Sequence, residues 1–541
     1  MKILFENKLP WIIKENLPPS TAYMAGDIPD NAISRITTIL QQEQPRPNEL
    51  ADELLRIKTH FALIIKTGSK RFAAVDPIRS HPVFYASSGI NALSNTPRLL
   101  RKHLKTSEVD ETAALDIFHS GYTWDGNTIE KNINQLQAGE FILKNNDAPH
   151  TIANYYSYQP IEPNPRPRHG QLIDDLENII NATFSRLIDQ LNDREAWIPL
   201  SGGLDSRLIL FKLHEIGYKK IKTFSYGPEG NSQARIAKAT ADALGIPWLF
   251  VPPPSPRKAR SFFNSDTRRS YWEFSDALSS TPYMQDFHAI FFLQREQILP
   301  GDAVIINGQS GDFISGAHIP EAPLRAKTKD DIVSFILKKH MSLWEMEDEG
   351  KKERILSLLK QFDSWNDMPI ETRAAIYENI EWRNRQTKFV VNGQKCYDFF
   401  GYAWKLPLWD IDYMDFWKKV PFEHRKNQSL LKTYLLEHYD YKGLFSKNYP
   451  KTPTYTGKTG WAIGKMVDAM DAVGLPSLKY SAKYSHYGDY YRQYSMKQYL
   501  KLIKHATVPP FGRGVVAFNT WLWFKENNFP IPDATLAGLE F

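Results

Sequence analysis

Cysteine is nearly absent from these 541 residues: Cys396 is the only one. A single thiol excludes intramolecular disulfides and any zinc site built on cysteine. Long hydrophobic runs are missing too, since no stretch approaches the roughly 18 apolar residues that a membrane span needs. The first twenty residues, MKILFENKLPWIIKENLPPS, lack an unbroken apolar core and a small-residue cleavage site, so they read as mature protein. A cytoplasmic protein without a membrane partner is the expectation. Nor is there a strong excess of one charge. Sixty-seven basic residues stand against 61 acidic ones, interspersed along the chain, for a net +6. A nucleic-acid binder gathers its basic residues into a stripe, and clusters as short as Lys219 to Lys222 or Lys338 to His340 are ordinary solvated helix ends, so no nucleic-acid partner is expected. Internal repeats and low-complexity tracts are also lacking.

What is present is enough chain for two or more cores. The amino-terminal part is β-rich: FALIIK (Phe61 to Lys66), RFAAVD (Arg71 to Asp76) and PVFYAS (Pro82 to Ser87) are apolar runs between Gly, Ser or Pro turns, the pattern of an antiparallel sheet. The stretch IEPNPRPRHG, Ile161 to Gly170, has no periodicity and reads as a linker, which divides the chain into residues 1–160 and 161–541. From Leu172 to Ile188 apolar residues recur at spacings of three and four, predicting an amphipathic helix. Beyond it, strands AWIPL, IKTFSYG, PWLFVP and AVIING alternate with helices over 205–214 and 234–244, so a parallel sheet with crossover helices follows. After Thr328 the pattern is mostly helical, a bundle covering the sheet.

Ligands of such a sheet bind beyond the carboxyl ends of the strands. At one of those ends lies WIPLSGGLDSRLIL, Trp197 to Leu210. Gly202 and Gly203 remove Cβ atoms so that successive N–H groups can curl around an anion, and the helix starting near Asp205 adds its positive dipole end. The result is a phosphate cradle. It lacks the closing GK[ST] of a Walker A loop and is not GxGxxG.

SGGLDS resembles the pyrophosphate-binding loop (PP-loop) of the ATP pyrophosphatase superfamily. AVIINGQSGDFISGAHI, Ala303 to Ile319, resembles the GxGxDExFGG segment of the asparagine synthetase family, with Asp312 on that family's second aspartate. Tyr402 to Leu435 keeps the family's spacing at Pro407 and Asp410, and GVVAFNTWLWFKEN resembles its closing helix. FALIIKTGSKRFAAVDPIRSHPVFYAS and SGYTWDGNTIEKNINQLQAGEFIL are similar to segments of its amino-terminal glutaminase domain. The resemblance implies an α/β protein: an amino-terminal antiparallel β-sandwich of the class II amidotransferase type, and a parallel-sheet PP-loop synthetase domain under a helical cover. It implies ATP bound by Leu200, Ser201, Gly202, Gly203, Leu204, Asp205, Ser206, Tyr226, Gly308 and Gln309, with Mg²⁺ held by Asp205 and Asp312. Catalytic roles fall to Asp205, Asp312, Gln309 and Lys426. The reaction implied is adenylation of a carboxylate, release of pyrophosphate, and attack by an amine.

The chain departs from the family at several points. A class II glutaminase uses an amino-terminal cysteine as nucleophile, whereas this sequence begins Met1, Lys2, Ile3. Glutamine hydrolysis is therefore not expected, and the amine comes from the substrate itself, from solution or from a separate ammonia source. Gln309 stands where the family has Glu or Tyr, Phe313 replaces a Glu, and Gln428 takes the place of a lysine, with Lys426 and Lys432 flanking it. The carboxylate could be a small molecule, a sugar acid or a peptide, and the tyrosine-rich stretch Lys479 to Tyr494 could stack on a sugar or peptide ring or simply pack as helix. Homodimer formation is left open. Two other readings stand beside this one: a non-catalytic nucleotide-binding descendant, and a PP-loop enzyme that modifies RNA.

Overall fold

The computed structural model describes residues 1–17, 20–86, 88–145, 149–227, 229–325, 328–344, 349–360, 362, 364–440, 443–445 and 515–538. The tyrosine-rich stretch at 479–494 lies outside them.

Apolar alternation builds the amino-terminal half. Strands β1 (Lys2–Leu4), β2 (Ile12–Leu17), β3 (Ser20–Gly26), β4 (Phe61–Thr67), β5 (Lys70–Val75), β6 (Phe84–Ala86), β7 (Ala92–Ser94), β8 (Asn134–Gln135), β9 (Glu140–Lys144) and β10 (Thr151–Asn154) form two sheets. One has the order β10-β9-β5-β4-β3-β2, the other β1-β7-β6-β8. Pairing is antiparallel except between β1 and β7, which run parallel. Side chains alternate across β4: Ala62 and Ile64 join Val75, Val83, Leu93 and Ile142 between the sheets. Phe61, Leu63 and Ile65 turn the other way, onto Ile33, Ile36 and Leu50 of the helices Asp30–Gln41 and Pro47–Leu55. A strand buried on both faces reads as a continuous apolar run, which is what FALII is.

The second half begins with the helix His169–Leu191, whose Leu172, Leu176, Ile180, Phe184 and Leu187 make one buried stripe. The sheet has five strands, all parallel, in the order β13-β12-β11-β14-β15: β11 is Ala196–Pro199, β12 Ile221–Tyr226, β13 Trp248–Val251, β14 Val304–Ile306 and β15 Ala403–Lys405. Strand β15, an edge strand inside YAWKLPLWD, was not apparent from periodicity, because three residues give no period to read. Helices from Lys329 onward supply the cover. The expected sandwich, parallel sheet and helical cover are all present. Among the described residues no helix is long and apolar enough to cross a membrane.

The segment read as a linker is strapped down. Within it Ile161 N–H donates to Lys418 at 2.8 Å and Glu162 accepts from Phe422 N–H at 2.6 Å, and just before it Tyr158 donates its hydroxyl to the carbonyl of Ile314 at 3.0 Å. The large core is shared as well: Ile117, Phe118 and Ile129 of the amino-terminal half belong to the same buried cluster as Leu208, Ile305 and Trp523.

Asp410, whose spacing from Pro407 is part of the family resemblance, caps the helix Ile411–Lys418 by accepting from Asp412 and Tyr413 N–H, and it takes both arms of the Arg186 guanidinium, at 3.1 and 2.6 Å. It is a structural residue. Asp410→Ala removes a cap and leaves the partly buried Arg186 with Asp412 alone, 3.0 Å away, so the denaturation midpoint should fall by the equivalent of about 1 to 2 kcal/mol, and Asp410→Asn by less; an unchanged midpoint in the alanine variant would contradict this role.

Candidate active site

Beyond the carboxyl ends of β11, β12 and β14 the chain opens into a cavity of about 500 Å³. Two strand-to-helix turns form its floor. The first runs from Leu200 into the helix Leu204–Glu215, whose N-cap residue, Gly203, provides no side-chain cap. An uncapped helix start leaves N–H groups and a positive dipole end for a ligand. The second turn follows β14 and enters the short helix Gly311–Ile314.

These turns touch because two side chains are missing between them. A Cβ on Gly308 would lie 2.8 Å from Ser206 N, and one on Gly311 would lie 2.8 Å from the Asp205 carboxyl carbon and 2.4 Å from Leu408. That approach lets Asp205 Oδ2 accept the backbone N–H of Asp312 at 2.8 Å. Asp205 Oδ1 is buried and has no hydrogen-bond partner. Burial, then the neighbouring charge of Asp312, push the Asp205 carboxyl well above its usual range. An orphaned oxygen next to a second carboxylate is the donor set of a hard divalent cation, which would reverse that shift. Among the described residues no group of three or more His, Cys, Asp or Glu is poised to hold a metal, so a cation here would take its other ligands from phosphate oxygens and water.

Leu200, Ser201, Gly203, Asp205 and Ser206 line the cavity from the first turn, Gly308, Gln309 and Asp312 from the second, and Tyr226 from the end of β12. The structure thus brings together all but three of the residues singled out from sequence. Gly202 and Leu204 are not in the lining. Gly202 donates its N–H to Gln233 Oε1 at 2.8 Å, and Leu204 points into the core. Lys426 is not in the lining either; its Nζ pairs with Glu321 at 3.2 Å and Glu423 at 3.0 Å. Gln428, at the lysine's place, donates to Ser315 Oγ at 2.8 Å. The loop N–H groups are not splayed open. Ser201 N–H donates to Ser206 Oγ and Gly203 N–H to Ser201 Oγ, each at 3.1 Å. Phe313, in place of an acid, stacks on Trp409 in the core with ring centroids 5.9 Å apart.

Several lining residues were not singled out from the sequence. His318 reaches Asp312 at 3.3 Å through Nε2 and Glu381 at 2.5 Å through Nδ1. Burial opposes its charge, but Glu381 and Asp312 outweigh burial and push it up to about 9. Asp312, with about half its side chain exposed, is desolvated to some extent, yet His318 holds it below the usual carboxylate range. Asp286 is buried, and burial raises it although Tyr226, Tyr397 and Asn307 all donate to it. Gln309 is fixed by Tyr283, 3.3 Å away, and by Gln394, which donates to its Oε1 at 2.9 Å. Arg385 lies on the helical cover. Only His318, six residues past Asp312, falls in a motif that the sequence exposed.

The His318 shift fixes a pH dependence. A histidine raised from 6.5 to about 9 on folding contributes stability that is fully present below pH 6.5 and is lost as the pH rises through about 9. The size is on the order of 2 to 3 kcal/mol. The denaturation midpoint of the metal-free protein should therefore fall across that window, and His318→Gln should flatten the slope; a parental slope in the variant would assign the loss elsewhere.

Residues 189–440 match the family model described as asparagine synthase. The chain is also similar to two solved structures. One is titled the allosteric regulatory enzyme of purine biosynthesis, at 12% identity and a TM-score of 0.18, covering 56% of this chain and 58% of that one. The other is the glutamine phosphoribosylpyrophosphate amidotransferase from B. subtilis complexed with ADP and GMP, at 10% identity and a TM-score of 0.17, covering 58% and 59%. The chain spans less than two thirds of either, and scores this low carry no further argument. A comparison with curated proteins gives no match. The two touching turns, the orphaned Asp205 oxygen and the helix start that faces the cavity all fall within residues 189–440, the part of the chain that is similar to the asparagine synthase family model.

Proposed function

We propose that this protein is an AMP-forming carbon–nitrogen ligase: it adenylates a substrate carboxylate with ATP and passes the acyl group to an amine. The observation that carries this reading is the buried Asp205 carboxylate, with one oxygen on the Asp312 amide and the other without a partner, beside an uncapped helix start.

In this reading the Ser201 to Ser206 turn binds the β and γ phosphates. Phosphate oxygens replace the hydroxyls of Ser201 and Ser206 on the loop N–H groups, exchanging neutral hydrogen bonds for charge-assisted ones. Asp205 and Asp312 would hold Mg²⁺, which neutralises charge on the departing pyrophosphate. The substrate carboxylate attacks the α-phosphorus, the bond to the β-phosphate breaks, and pyrophosphate leaves. The amine then attacks the acyl carbon, AMP departs with the acyl–oxygen bond electrons, and the amine loses a proton. Gln309, held by Tyr283 and Gln394, orients the acyl group as donor or acceptor and takes no proton. The chain from Gln285 to Tyr226 to Asp286 presents phenol and amide groups to the rest of the substrate, a lining suited to a hydroxyl- or amide-bearing acid.

The amine is not released by this chain's cysteine chemistry. Cys396 is buried, and burial with the charges of Asp286 and Asp398 raises its thiol well above the usual range, so no thiolate is available there. Ammonia from solution or a partner, or an amine of the substrate, serves instead. Residues 1–160 are then a structural wall rather than a glutaminase.

An ATP–pyrophosphate exchange screen over uronic acids, amino acids and peptides tests adenylation without knowledge of the amine; exchange with none of them, by protein that binds no Mg-ATP, removes the reading. Gly203→Val should fold, because Gly203 has φ −69° and a Cβ there meets only the Ser201 hydroxyl at 3.2 Å. It should lose Mg-ATP binding, since the branched side chain occupies the phosphate's place; parental affinity in the folded variant would take the turn out of the site. Asp312→Asn should still bind ATP but exchange pyrophosphate about 10²-fold more slowly or worse, and parental exchange would end the assignment of Asp312.

A further inference from the structure

A departing pyrophosphate carries more negative charge than one divalent cation neutralises, so a fixed positive side chain is needed beside it. The lysines nearest the family position do not supply it: Lys426 is occupied by Glu321 and Glu423, and position 428 is a glutamine bonded to Ser315. Among the described residues that line the cavity there is no lysine, and the one arginine is Arg385.

Arg385 stands in the π-helical segment Trp382–Val390 of the cover. Widened turns of this kind are frequent at functional sites. Its closest acid is Glu381, 3.6 Å away, and the guanidinium makes no hydrogen bond to a described residue. Glu381 does not need it. That carboxylate already accepts from Lys339 at 2.9 Å, Tyr377 at 2.6 Å, Gln386 at 3.1 Å and His318 at 2.5 Å. Lys339 and His318 both already stand on that carboxylate. Arg385 is therefore a surplus cation with its donor fork unused, in a cavity whose other wall holds the Ser201 to Ser206 turn. Glu381 also holds His318, which reaches Asp312 at 3.3 Å, so Arg385 stands at the carboxylate end of the cavity rather than the end formed by β12 and Gln233. A planar guanidinium binds a phosphate through two parallel N–H donors, where a lysine offers a point charge.

We propose that Arg385 is the pyrophosphate-binding cation of this site, reaching down from the helical cover to the phosphates in place of a lysine beside the sheet. The proposal rests on the adenylation reading. It assigns part of the phosphate site to the cover, so that nucleotide and cover are joined only when phosphate is present.

Calorimetry on the full chain with Mg-pyrophosphate and, separately, AMP distinguishes the two levels. The parent should bind both. Arg385→Gln should weaken Mg-pyrophosphate by about tenfold or more and leave AMP within about twofold, because AMP lacks the groups Arg385 meets. Arg385→Lys should recover part of the loss. Should Arg385→Gln not fold, Arg385→Lys carries the test: a point charge in place of a fork should cost about threefold, and parental affinity overturns the assignment. Parental pyrophosphate affinity in Arg385→Gln likewise overturns it, and a raised requirement for carboxylate in the exchange assay would then give Arg385 to the acyl substrate. Loss of pyrophosphate binding in Lys426→Ala, with Arg385→Gln unaffected, returns the role to the lysine and overturns the proposal. A parent that binds neither probe takes down the adenylation reading and this inference together; a parent that binds both beside an unaffected Arg385→Gln takes down the inference alone.

Discussion

The site depends on one close approach, the packing of the turn after β14 against the helix start after β11. Gly308 and Gly311 permit it, since any Cβ at either would meet the backbone or carboxyl of Asp205 and Ser206. The consequence is a carboxylate forced into a place where water cannot reach Oδ1. Burying a charge without a partner is expensive, and the amide of Asp312 and the dipole of the Leu204 helix offset only part of that cost. The remainder makes Asp205 hold a proton or a cation. On the proposed reading, a cation at this spot would relieve that cost, and phosphate oxygens would complete its shell. The hydroxyls of Ser201 and Ser206 meanwhile satisfy two of the loop N–H groups, the places that the proposed reading gives to phosphate oxygens.

Much of this was legible in the sequence, and the reasons differ from place to place. Strands β4, β5, β11, β12 and β14 announce themselves as short apolar runs bounded by turns, and neighbouring parallel strands bring their carboxyl-end loops together. Asp205 and Asp312 could therefore be paired across 107 positions without coordinates. Gly202 was legible as a glycine but not in its purpose, because only the packed structure shows its N–H given to Gln233. Lys426 was a choice by proximity in sequence, and the ion pairs with Glu321 and Glu423 that hold it depend on two other segments. His318, Asp286 and Arg385 reach the cavity from three different elements. No local pattern encodes such a meeting. The segment Ile161 to Gly170 has a linker's composition, yet backbone and carboxylate contacts to Lys418 and Phe422 tie it down. Composition reports the lack of periodicity, and it cannot report which neighbour supplies the hydrogen bonds.

Those meetings also account for an amino-terminal half that carries none of the proposed chemistry. The π-helical segment Trp382–Val390 is anchored almost entirely from that side. Trp382 donates its indole N–H to the carbonyl of Pro77 at 3.0 Å, Arg383 donates to Gln137 at 2.7 Å and Glu140 at 2.8 Å, and Asn384 accepts from Asp125 N–H at 3.0 Å. Lys388, fully buried and pushed down to about 7 by that burial, donates to the carbonyls of Thr123 and Asp125 and to Asn384. A helix with widened turns is not a self-sufficient structure. Here its position is set by a row of side chains that grip the loops around Pro77, Asp125 and Gln137, and Arg385 lies between two of those anchors. Removing the amino-terminal half would take both partners from Arg383, the indole acceptor from Trp382 and the two backbone carbonyls from Lys388, leaving Lys388 with Asn384 alone, and the contacts that fix the segment over the cavity would be lost. The sandwich is thus tied into the molecule by what it positions.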